Sequence, residues 1–131
     1  MDGFFYSSRR TFQIWSYDVS HSMLLLRSPA SDRDNEQVDI VFKGVDYISI
    51  PTRIQDMVIE KSSADFSHLP IEPHVLSARH LYEVAGSGAR GLIAAAAVYM
   101  DARRCEYFEE SELLKVLKLG GLSEDELANS Y

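Results

Sequence analysis

Short apolar and aromatic runs separated by gaps of a few residues restrict this fold more than any other feature. Parallel strands need a crossover of a dozen or more residues, whereas antiparallel neighbours join through a tight turn. "TFQIWSYDV" alternates as a strand, with Trp15, Tyr17 and Val19 on one face and Phe12 and Ile14 on the other. "DVSHS" suits a turn, because Asp and Ser side chains bond nearby backbone groups, and "MLLLRS" returns as the second arm of a hairpin. Pro29 to Gln37 is a polar surface loop, after which Val38, Ile40 and Phe42 resume the alternation. Gly44 marks a tight turn or bulge, and Pro51 closes the segment because it cannot donate to a ladder. "RIQDMVIEKS" adds one strand and "ADFSHLPIEPHV" a loop or single helical turn.

The C-terminal region reads differently. "SELLKVLKLGG" is a short amphipathic segment stopped by Gly120 and Gly121. Ser123 with Glu126 then makes a capping box, stapled by Leu122 and Leu127. The expectation is one α+β domain over residues 1–131, with 1–10 a flexible tail and 111–131 a helical segment. Its body is a mainly antiparallel curved sheet or partial barrel of about six strands, with short C-terminal helices packed at one end or face. Phe4 to Tyr6, ahead of the first strand, offer an apolar patch through which a homo-oligomer or partner contact forms.

Gly86-Ser87-Gly88-Ala89-Arg90-Gly91 spells G-x-G-x-x-G ahead of an apolar run. Over about thirty residues this stretch resembles the first turn of a dinucleotide-binding Rossmann unit. The resemblance implies a cofactor site at Gly86, Gly88 and Gly91, with Arg90 near phosphate and Glu109 or Glu110 on a ribose. The 21 residues after Glu110 leave no space for a second mononucleotide half, and the upstream gaps favour hairpins. The preferred reading is therefore a hairpin in which "RHLYEV" enters, "AGSGARG" turns and "LIAAAAVYM" returns as a buried strand. No cofactor is assigned, and a nucleotide-binding protein or enzyme using this loop stands as the alternative.

Other chemistry is weaker. His68, His74 and His80 recur every sixth residue, a spacing that fits neither helical i,i+4 ligands nor a zinc loop even with Asp65 or Glu72 added. Ser20 beside His21 makes a dyad only in a tight turn, and Cys105 lacks a nucleophile signature. No catalytic or metal residue is assigned, and an enzyme is not the favoured reading. Ser8-Arg9-Arg10-Thr11-Phe12 has a twin-arginine look, but Ser16, Asp18, Ser20 and His21 interrupt the apolar segment a signal requires. The arginines then read as a solvated strand start.

Thirteen basic residues against twenty acidic ones give a net charge of −7, which repels nucleic acid on average. No run approaches a membrane span, and a single cysteine fits a cytoplasmic home. The expected function is a non-enzymatic binding or regulatory module, of immunity type on one reading, that meets a basic protein partner. Glu106, Glu109, Glu110 and Glu112 in "CEYFEESE" are the expected contact edge.

Overall fold

A computed structural model describes residues 3–30, 36–62, 70–72, 74 and 78–104. Ten strands appear in chain order: β1 (Gly3–Ser7), β2 (Thr11–Asp18), β3 (Met23–Ser28), β4 (Glu36–Lys43), β5 (Tyr47–Ser49), β6 (Arg53–Gln55), β7 (Val58–Ser62), β8 (His80–Gly86), β9 (Ala89–Ala95) and β10 (Ala97–Arg104). They form two antiparallel sheets, sheet I in the order β1-β7-β8-β9-β5 and sheet II in the order β10-β4-β3-β2-β6. The expected α+β class with one curved sheet or partial barrel of about six strands is thus corrected, over the described residues, to a nearly all-β pair of five-stranded sheets that do not close into a barrel. The expected C-terminal helices at 111–131 lie outside the described residues.

Two bent ribbons explain the higher strand count. β4 pairs with β10 in sheet II, and their continuations β5 and β9 pair in sheet I. The ribbon turns its corner at Gly44 and Ala96, where Ala96 N–H donates to the Lys43 and Gly44 carbonyls at 2.8 and 3.2 Å. Gly44 has φ of 65° and a Cβ there would meet Ala96 Cβ at 2.8 Å, so the corner requires glycine. "LIAAAAVYM", expected as one strand, is therefore divided between two sheets. On the other flank β2 pairs with β6 and β1 with β7, so "RIQDMVIEKS" is likewise split at Asp56. Corners made by strands that switch sheets are a recurrent way to close a sandwich.

The side-chain period of two then fills the space between the sheets. Leu24 and Leu26, Ile40 and Phe42, and Val98 point inward from sheet II onto Ile59, Tyr82, Val84 and Ile93 of sheet I. Phe42 and Tyr82 meet edge to face at 5.4 Å. Residues 1–10 are not simply a tail: Gly3–Ser7 pairs with β7, and Phe5 and Tyr6 pack against the core. Nor is Arg10 a solvated strand start. Its Nε donates to Ser28 Oγ at 2.9 Å and its Nη2 to the Ser28, Pro29 and Glu36 carbonyls. A bulge between Ile14 and Ser16 overturns the expected common face for Trp15, Tyr17 and Val19. Trp15 packs with Met23 and Leu25, while Tyr17 and Val19 are exposed.

The face of sheet II turned away from sheet I is also buried. Met23, Leu25, Val41 and Tyr99 cluster there beside Arg27 and Asp39, which are 2% and 1% exposed. Arg27 Nε donates to Asp39 Oδ1 at 2.8 Å and Nη2 to Oδ2 at 3.2 Å. Gln37 Nε2 donates to the same Oδ2 at 3.3 Å, and the guanidinium lies 4.9 Å from the Trp15 ring. Removing one member strands a buried charge, so Asp39→Ala is expected to cost about 3–5 kcal/mol. The double variant Arg27→Met/Asp39→Leu should lose far less; urea unfolding of the three proteins measures both.

Candidate functional site

The glycine loop is placed unambiguously by its ladder. β8 and β9 pair antiparallel from His80↔Ala95 down to Gly86↔Ala89, leaving Ser87-Gly88 as the turn. Residues that would open a phosphate-binding helix are strand instead, so no helix N-terminus faces the glycines. Each glycine has a different local cause. Gly88 has φ of 70° and open space where a Cβ would stand, so it serves the turn. A Cβ at Gly86 would strike the Gln55 carbonyl, and one at Gly91 the Ser49 carbonyl, so both serve close packing. Arg90 lies directly across from Ala85 on β8. Gly88→Ala is expected to cost about 1 kcal/mol through its backbone angle. Gly91→Ala should cost more, because β5 backbone must move, and thermal melts of both variants rank them.

Serine and histidine do come together in the β2–β3 turn. Ser20 Oγ lies 3.0 Å from His21 Nδ1, and Asp18 Oδ2 is also 3.0 Å from that nitrogen. The Ser20 hydroxyl bonds Asp18 Oδ1 at 2.8 Å, and Asp18 Oδ1 also accepts from Ser20 N–H at 3.0 Å. A nucleophilic triad places serine and carboxylate on opposite ring nitrogens. Here both crowd Nδ1 and the hydroxyl proton goes to the carboxylate, which caps a turn and does not activate Ser20.

The histidines at 74 and 80 are also apart in role. His74 Nδ1 pairs with Glu72 at 3.2 Å on the surface. Among the described residues no three His, Cys, Asp or Glu side chains converge as metal ligands. His68, Asp65, Cys105 and the acidic edge Glu106, Glu109, Glu110 and Glu112 lie outside the described residues. His80 stands beside the Tyr82 ring at 6.2 Å, and its pKa is pushed below 6.5 by burial and then by the Lys61 charge. A histidine depressed in the fold takes its proton first when unfolded. Its contribution to stability is therefore full above pH 6.5 and is lost as pH falls through the lower folded value. Lys61→Gln should raise the His80 titration midpoint followed by NMR, and His80→Gln should flatten the acid limb of the stability profile.

The arrangement with most chemical content is on the outer face of sheet I, and sequence reading missed it. In register across β7, β8 and β9, Val58, Ala85 and Arg90 form one row and Glu60, Glu83 and Leu92 the next. Val58, Glu60, Glu83, Ala85 and Arg90 line one concavity of about 260 Å³. Glu60 and Glu83 are direct cross-strand partners, and like charges so placed are destabilising. Among the described residues neither carboxylate forms an ion pair, and Arg90 forms none with them. Its only sequence signal was a single glutamate inside each of two apolar strands, "VIEKS" and "LYEVAG". No family model, curated protein or solved structure matches this chain. Among the described residues no helix is long and apolar enough to cross a membrane.

Proposed function

We propose that this chain is a non-enzymatic binding module that contacts a basic protein partner through an acidic surface, with Glu60 and Glu83 at its centre. The observation that carries the reading is the direct opposition of these two partly buried carboxylates, which form no ion pair among the described residues. A lysine or arginine brought by a partner turns that repulsion into two charge-assisted hydrogen bonds. The net charge of −7 works in the same direction by steering basic partners at long range.

A binding role held against stability has a distinctive signature. Glu83→Gln removes the like-charge pair and should raise stability by up to about 1 kcal/mol. The same change should abolish salt-sensitive capture of a basic partner from lysate of the source cells, as should Glu60→Gln. Equal capture by wild type and both variants would remove the support for this face as the contact.

A further inference from the structure

The cleft over sheet I extends beyond the two glutamates. Val58 lines both the small concavity and an adjoining open groove of about 890 Å³, whose other lining residues are Ser7, Ser8, Arg9 and Asp56. The surface is therefore continuous from the β1–β2 turn, past Val58 and Ala85, to Arg90 on β9. Val58 and Ala85 are the apolar residues of its lining, and its charged residues are of both signs. Arg9 is at one end, and Arg90, on the next strand beyond Glu83, lines the same concavity as the paired carboxylates. Asp56, between Arg9 and the hairpin turn, is already engaged by the Ser87 hydroxyl at 2.9 Å. Among the described residues, Arg9, Glu60, Glu83 and Arg90 take part in no ion pair.

We infer that this cleft takes an extended peptide segment of the partner whose basic side chain is flanked by acidic ones, and that it disfavours a run of basic residues. The inference rests on the proposed binding role and specifies the partner's chemistry. A cation seated between Glu60 and Glu83 leaves Arg9 and Arg90 to meet what lies on either side. Carboxylates there are attracted, whereas further lysines are repelled, and such like-charge contacts are how interfaces reject wrong partners. An extended chain is the conformer that reaches from Arg9 at the β1–β2 turn to Arg90 on β9 across this open sheet face.

The test uses the full chain and two synthetic peptides of equal length in a Gly/Ser background, one carrying Glu-Lys-Glu and the other Lys-Lys-Lys. Calorimetry at about 0.15 M salt, where the long-range field is screened and contacts within the cleft are kept, is expected to show the mixed peptide binding at least tenfold more tightly. Arg9→Gln and Arg90→Gln should each shrink that preference without changing the melting temperature, and Glu83→Gln should remove binding of both peptides. If Lys-Lys-Lys binds as tightly as the mixed peptide, or the preference survives both arginine changes, the inference fails while the binding role stands. If neither peptide binds the wild-type chain, and Glu60→Gln and Glu83→Gln also leave partner capture unchanged, both fail together.

Discussion

The corner at Gly44 and Ala96 is the constraint on which the rest depends. One antiparallel ribbon must leave sheet II and enter sheet I without breaking its pairing. It manages this only because the Gly44 and Ala96 backbones approach closely enough for Ala96 N–H to reach two carbonyls. The second ribbon does the same on the opposite flank. There Ser8 N–H bonds the Met57 carbonyl and Asp56, at φ of 56°, bonds the Arg10 carbonyl through its own N–H. With both flanks closed, the inward rows of the two sheets interlock as a single core. The outward rows of sheet I are set in fixed register, and the glutamate opposition follows from that register.

Charge is handled in two opposite ways on the two outer faces. On sheet II, Arg27 and Asp39 are buried but matched by a fork-like pair of hydrogen bonds, an aromatic face and a glutamine amide. Such an arrangement stabilises little net of desolvation, yet fixes which residues oppose each other. On sheet I, Glu60 and Glu83 are opposed and form no ion pair among the described residues. The contrast separates a structural use of charge from the opposition on which the proposed binding role rests.

Much of the strand pattern was legible in the chain. The β2–β3 hairpin, the alternation of Val38, Ile40 and Phe42, and the β8–β9 turn at Ser87-Gly88 all follow from local chemistry. The dinucleotide-like spelling misled because glycine answers three separate needs there, one conformational and two steric, and only the first is local. Trp15 misled through a bulge, which a pattern of period two cannot announce. The sheet switch at Ala96 left no break in hydrophobicity, because the strand is buried on either side of it. The acidic cleft was invisible for a related reason: Glu60 and Glu83 are far apart in sequence, and each alone is an ordinary surface glutamate on a strand.

By itself, then, the sequence determined that this chain makes antiparallel strands joined by short turns, with an acid surplus that sets the sign of its long-range field. These are properties of neighbouring residues and of summed charge. Only the tertiary structure decided that there are two sheets and not one, that Arg27 finds Asp39, and that Glu60 faces Glu83. Those outcomes depend on register and on close backbone approach between segments distant in the chain, and no local preference encodes either.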